Sequence, residues 1–229
     1  MPGGPSFWLL FLGQARKSDA PGGAQPKAKI TSVIGQGLAA LFLLAAPAAH
    51  AFDLSDLSAQ LAKPTVVRGP FVQEKHLRAL PTPLTSQGQF TLSREHGLLW
   101  LLQKPLKQDY RIDDSGIARR TADGWQQQPG QDVAAQQSRL FLAVLKGDRS
   151  GLERDFDLKL SGEHNAWQLE LTPHSLLLKQ IFSAIRIDGG ALVERIELIE
   201  TQGDRTVLKM PQSKAGDALS EQERADLVH

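Results

Sequence analysis

No cysteine occurs in the 229 residues. That excludes a disulfide framework, a thiolate nucleophile and any cysteine-based metal site. It also excludes a lipid-bearing cysteine, so the chain is not itself a lipoprotein. A long unbroken apolar run is missing too. Phe7 to Leu12 is too short to span a bilayer, and Gly35, Gln36 and Gly37 interrupt the run from Ile30 to Ala46. Clustered basic charge is absent. Four of the 26 basic residues and one of the 25 acidic residues precede Phe52, which leaves 22 and 24 and a net charge of −2 over residues 52–229. A nucleic-acid footprint needs the opposite pattern. There is no G-x-S-x-G elbow, no H-E-x-x-H and no glycine-rich phosphate loop. His76, His96, His164 and His174 are well separated and read as surface or turn residues, with no second ligand at metal spacing. The carboxylates fall mostly in turns or at alternating strand positions, where a solvated outer face accounts for them. The expectation is a protein that is not an enzyme and takes no cofactor and no metal.

What is present begins with an export signal. Lys27-Ala28-Lys29 is a basic tract, Ile30 to Ala46 an apolar run, and Ala49-His50-Ala51 a small-residue cleavage site. These are the three parts of a secretory signal peptide. The expected division is therefore 1–26 as a mis-assigned start or disordered extension, 27–51 as the signal, and 52–229 as one domain. Those 178 residues are enough for a single sizeable core. A cysteine-free exported chain suits the bacterial periplasm.

Periodicity organises the rest. Phe52 to Lys63 reads as a helix capped by Asp53 or Ser55 and ended by Pro64, with Leu54, Leu57 and Leu61 at helical spacing. The period then changes to two. Strands are expected around Phe71 and Gln73, Phe90 and Leu92, Leu98 to Leu102, Tyr110 and Ile112, and Ile117 to Arg120. Asp132 to Leu145 lacks Gly and Pro and carries apolar residues at intervals of three and four, so it predicts an amphipathic helix with Gly147 as its stop. A short helix at Arg149 to Arg154 is expected next. Strands resume at Phe156 to Leu160, Trp167 to Leu171, Leu178 to Ile187, Val193 to Glu200 and Thr206 to Met210. Short strands with turn signals every 8–12 residues imply an antiparallel meander. Ser220-Glu221-Gln222-Glu223 is a capping-box pattern for a C-terminal helix. The fold class is α+β, mainly antiparallel β. A sheet with one apolar face must cover it, and the first helix and the central insert are the candidates.

The order of motifs carries a resemblance. Phe71-Val72-Gln73 follows the first helix. Gly88 to Arg94 (GQFTLSR) and Trp100 come next, then Leu171-Thr172-Pro173, Leu178-Lys179-Gln180-Ile181, Asp188-Gly189 and Gly203-Asp204-Arg205. This series resembles the LolA family of periplasmic carriers of outer-membrane lipoproteins, over most of residues 54–210. The resemblance implies an incomplete (open) β-barrel with a helical lid over an apolar cavity. It implies a monomeric carrier that takes lipoprotein acyl chains from an inner-membrane ABC-type lipoprotein-releasing complex to an outer-membrane lipoprotein receptor. It implies that Arg94 latches the lid by bonding helix carbonyls, although a solvated turn arginine would fit the same position. Phe71, Phe90, Leu92, Leu98, Trp100, Trp167 and Leu169 become candidate acyl-binding walls, and Leu140, Phe141, Val144 and Leu145 candidate lid residues. Ordinary core packing would place the same residue types there. There are departures. Glu95 stands where the family has proline, Asp123-Gly124-Trp125 matches loosely, and a capped helix replaces the final aromatic strand. A carrier or sensor of a free lipid or glycolipid, and an acyl-ester hydrolase, are the alternative functions.

Overall fold

The computed structural model describes residues 51–128 and 131–228. The expected signal and the extension before it lie outside these residues, apart from Ala51. Helix α1 (Leu54–Ala62) starts at a capping box: the Asp53 carboxylate accepts the N–H groups of Ser55 and Asp56, and Asp56 accepts the Asp53 N–H in return. Of the two expected caps, Asp53 is the one used.

Pro64 breaks the helix, and the sheet begins. Strands β1 (Val66–His76), β2 (Leu84–Ser93), β3 (Gly97–Lys104), β4 (Gln108–Asp113), β5 (Gly116–Thr121) and β6 (Gly124–Gln127) form a meander. Helices α2 (Gln131–Lys146) and α3 (Arg149–Glu153) follow. Then come β7 (Phe156–Glu163), β8 (Ala166–Pro173), helix α4 (Leu176–Ile181), β9 (Phe182–Gly189), β10 (Val193–Glu200), β11 (Arg205–Lys209), β12 (Lys214–Gly216) and helix α5 (Glu221–Leu227). The spatial order is β6-β5-β4-β3-β2-β1-β11-β10-β9-β8-β7, all antiparallel, with β12 also beside β1. The edge strands β6 and β7 do not pair, so the sheet stays open. They are consecutive in the chain, and the segment that joins them holds α2 and α3. The helical insert thus enters from one edge of the sheet and leaves to the other.

Curvature follows from what shares one core. Ile117 on β5 and Trp167 on β8 belong to the same buried cluster as Leu57 of α1 and Phe141 of α2. Strands so far apart in the sheet meet around one core only if the sheet curls, as right-handed twist accumulated over many strands allows. Pro70 lies inside β1 without disrupting it. Residues 69–71 fall between the stretch paired with β12 and the stretch paired with β11, where a missing N–H is tolerated.

Three expectations are corrected. The segment read as a strand over 178–187 begins instead with α4, and β9 starts at Phe182. Leu178, Ile181 and Ile185 fit helical spacing while Ile181, Ile185 and Ile187 fit alternation, so a short apolar run does not decide between the two. Strand β6 was not expected, because Trp125 alone breaks a polar run. The short β12 was not expected either.

The outer face is covered in part by α5, whose capping box at Ser220 and Glu223 is present as its sequence predicts. Leu227 is buried there, and so are Leu99 and Arg111 on the sheet's outer side. Arg111 donates to the Asp226 carbonyl, and Arg120 pairs with the Asp226 carboxylate. Burial alone would raise the Glu223 pKa. The Arg68 guanidinium, the Ser220 N–H and the Thr91 hydroxyl outweigh that and hold it at about 2. A depressed carboxylate stabilises the fold above its unfolded value, near 4.5, and loses that contribution as pH falls toward 2. Glu223→Gln should therefore flatten the acid limb of the stability curve between those pH values in urea titrations. An unchanged limb would remove Glu223 from the account.

Candidate functional site: a helical lid on an apolar hollow

The seven expected wall residues come together. Phe71, Phe90, Leu92, Leu98 and Trp100 line the hollow from β1, β2 and β3, and Trp167 and Leu169 line it from β8; each is at most 6% exposed. The Trp100 and Phe71 rings stack with centroids 3.7 Å apart, and Phe141 of α2 meets Trp100 edge-on at 5.8 Å. The lid residues are there as well. Phe141, Val144 and Leu145 are buried, and Leu140 is half-buried against the same cluster.

Residues 141–145 are buried without a break, so the last turns of α2 are enclosed on all sides. A helix end of this kind is core, not a loose cover. The end of α2 therefore occupies part of the hollow with its own side chains. Two small voids, of about 20 Å³ each, border these side chains. One lies between α1, Val144, Leu152, Trp167, Leu169 and Ile187. The other lies between Leu61, Phe90, Leu92, Leu145, Leu192 and Met210. Each has room for about one water. An acyl chain fits in neither void unless the side chains around it move.

The helix ends are tied at one point. Arg94, in the turn after β2, donates through Nη2 to the Leu61 carbonyl at 2.8 Å and to the Lys146 carbonyl at 3.0 Å. These are the last turn of α1 and the last residue of α2. Helix C-termini carry unsatisfied carbonyls and partial negative charge, which a guanidinium matches in both respects. The Arg94 N–H donates to the Thr65 carbonyl at 3.0 Å, which fixes the turn at its start. Glu95, the departure from the family's proline, points to solvent with its side chain 84% exposed and does not prevent this geometry.

The local chain explains why the Lys146 carbonyl is free to accept. Asp148 N–H bonds the Ala143 carbonyl and Gly147 N–H the Val144 carbonyl, the Schellman arrangement that closes a helix. Gly147 has φ +66°, and a Cβ there would come within 2.7 Å of the Leu61 side chain. Only glycine permits both the left-handed cap and the close approach of α1. Burial lowers the Lys146 pKa below that of a free lysine; Asp114 opposes this and Arg94 adds to it.

Two further contacts of α1 have no signal in the sequence. The Ser58 hydroxyl donates to the Gly147 carbonyl at 2.6 Å. The Gln60 amide donates to the Gly190 carbonyl at 2.7 Å, and the Trp167 indole donates to that same carbonyl, also at 2.7 Å. Ser58 and Gln60 look like ordinary polar-face residues, and their acceptors are backbone atoms 89 and 130 positions away. Outside the lid, Arg94 also borders an open groove of about 580 Å³ with Val66, His96, Asp217, Leu219, Arg224 and Val228.

Among the described residues, no three His, Asp or Glu side chains converge as metal ligands, and no helix is long and apolar enough to cross a membrane.

Comparison with known proteins adds the following. A family model described as "Outer membrane lipoprotein carrier protein LolA-like" matches residues 45–229. A solved Pseudomonas aeruginosa MucA/MucB complex aligns at 18% identity over 74% of this chain and 58% of that chain, with TM-score 0.45. A LolA superfamily protein from Nitrosomonas europaea aligns at 10% identity over 74% of this chain and 96% of that one, with TM-score 0.42. No curated protein sequence matches. The family model spans most of the chain, and the sheet, the hollow and its lid fall within the matched residues: this protein belongs to the LolA-like outer membrane lipoprotein carrier family.

Proposed function

We propose that this protein is a periplasmic carrier that shields the acyl chains of lipoproteins and delivers them from the inner to the outer membrane. In this reading an ABC-type lipoprotein-releasing complex loads it and an outer-membrane lipoprotein receptor unloads it. One observation carries the proposal. A single guanidinium holds the ends of two helices whose apolar side chains pack into the buried cluster inside the curled sheet.

The energetics favour exchange over simple opening. Phe141, Leu142, Val144 and Leu145 leave the core if α2 swings out, at about 1.5–3 kcal/mol each, or roughly 6–12 kcal/mol together. That rivals the whole stability of a typical domain, about 5–15 kcal/mol. Spontaneous opening is therefore rare. Burying an acyl chain of about 16 carbons at about 0.8 kcal/mol per methylene returns roughly 13 kcal/mol. The two terms match in size. Cargo then replaces lid side chains at little net change, which suits a carrier that must both take up and give away. The latch sets which side of this balance wins.

Removing the latch shifts the balance toward cargo. Each bond from a charged donor contributes about 1.5–3 kcal/mol. With Arg94→Leu the closed form loses two such bonds, about 3–6 kcal/mol, so retention of lipoprotein should tighten by about a hundredfold or more and handover should slow accordingly. The variant should stay folded, because the apolar core is untouched. Mass spectrometry of protein isolated from the periplasm, with and without the substitution, reads the outcome. A triacylated protein enriched on Arg94→Leu supports the proposal. A free lipid in its place turns the reading to a lipid carrier, and unchanged transfer removes Arg94 as the latch.

A further inference from the structure

The end of the barrel away from Arg94 exposes apolar side chains. Five large hydrophobic residues are strongly exposed among those described, and four of them sit at this end: Leu80 (44%), Leu84 (52%), Leu106 (66%) and Leu176 (80%). Contacts run continuously between their segments. Helix α4, which carries Leu176, is joined to the β10–β11 turn by the Thr201 hydroxyl on the Lys179 carbonyl and the Thr201 N–H on the Ile181 carbonyl. That turn is joined to the β1–β2 connection, which carries Leu80, by the Arg78 N–H on Asp204 and the Arg78 guanidinium on the Gln202 carbonyl. Leu84 opens β2. Gln87 of the same strand pairs with Lys104, next to the turn that carries Leu106. Strand β2 has ten residues, so this end and the Arg94 turn lie about 30 Å apart.

Around Leu80, Leu84 and Leu106 the exposed charge is mainly positive. Arg78, Lys104, Lys107 and Lys179 are exposed in the same connections. Against them stand Asp123 in the β5–β6 turn, Asp204, whose carboxylate is engaged by the Arg78 N–H, and, beside Leu176, Asp155 and Asp157, which lie against Arg154 and His174. Protruding leucines ringed by lysine and arginine complement one surface chemistry: an apolar interior beneath anionic phosphates. We infer that this end of the barrel docks on the surface of an anionic phospholipid bilayer, with the leucines at the acyl boundary and the cations on the lipid phosphates. The docking leaves the latch end facing the aqueous phase, where protein partners reach it. It is independent of what the hollow carries.

Co-sedimentation of the purified protein with vesicles of phosphatidylglycerol and phosphatidylethanolamine tests this. The wild-type protein should bind, and binding should weaken severalfold or more in vesicles of phosphatidylcholine alone and at high salt. The combined variant Leu80→Ser, Leu84→Ser, Leu106→Ser and Leu176→Ser should keep its melting temperature, since the side chains contribute little to the core, and should lose at least tenfold in vesicle affinity. Lys104→Glu with Lys107→Glu should lose affinity for the anionic vesicles alone. Equal binding by the serine variant overturns the inference, because it places the contact elsewhere on the chain. Absence of wild-type binding, or a patch that instead pairs two copies in solution, overturns it too. None of these readouts depends on lipoprotein cargo, so the carrier proposal stands or falls separately.

Discussion

Replacing Lys75 with methionine should lower the unfolding free energy by about 3–5 kcal/mol. The Lys75 ammonium lies 3.1 Å from the Glu200 carboxylate inside the barrel, and the two side chains are 5% and 8% exposed. Lys75 shares its face of β1 with Phe71 and Gln73, and it stands opposite the buried Thr206. Truncating one partner leaves the other charged, buried and unpaired, which is the expensive outcome. Truncating both removes that penalty. Lys75→Met with Glu200→Leu should therefore regain most of the lost stability, and a double-mutant cycle in urea should show strong coupling. A loss below about 1 kcal/mol for the single variant would mean that the pair is solvated and behaves as a surface bridge.

Trp100→Ala should be comparably damaging, at about 3–5 kcal/mol. Trp100 is 1% exposed, stacks on Phe71, and receives Phe141 of the lid on its edge. It is the side chain on which wall and lid meet. Its removal deletes a large apolar group and leaves space that rigid neighbours fill only partly. That space is a test of the hollow's chemistry. A long-chain amphiphile added at about 100 times its dissociation constant should restore roughly 2.7 kcal/mol, read as a rise in melting temperature larger than in the wild-type protein. If the variant melts low and no acyl compound raises it, the hollow does not accept acyl chains. If it melts like the wild type, the stack contributes no more than the packing around it.

The elements that were legible in the sequence are those with local signals. The caps at Asp53 and Ser220, the glycine stop after Lys146, and the strict alternation of Phe156 to Leu160 each lie within a few residues of what they determine. The α4 segment was not legible, because Leu178, Ile181 and Ile185 fit a helix while Ile181, Ile185 and Ile187 fit a strand. Buried charge was not legible either. Lys75 and Glu200 sit at alternating strand positions, where a solvated face is the ordinary reading, and each becomes tolerable inside only because the other, 125 positions away, is there. The residues read as walls share one buried cluster, yet nothing in their spacing indicated that Phe141 to Leu145 of α2 would pack into it.

By itself the sequence determined a cysteine-free antiparallel sheet with a helix before it and a helical insert, because period, caps and turns act over a few residues. Only the tertiary structure decided that Arg94 ties two helix ends, that the end of α2 packs into the cluster inside the sheet, and that the exposed leucines gather at one end. The physical reason is range. Those contacts join residues 33, 52 and more positions apart, and each depends on how the sheet curls around its core.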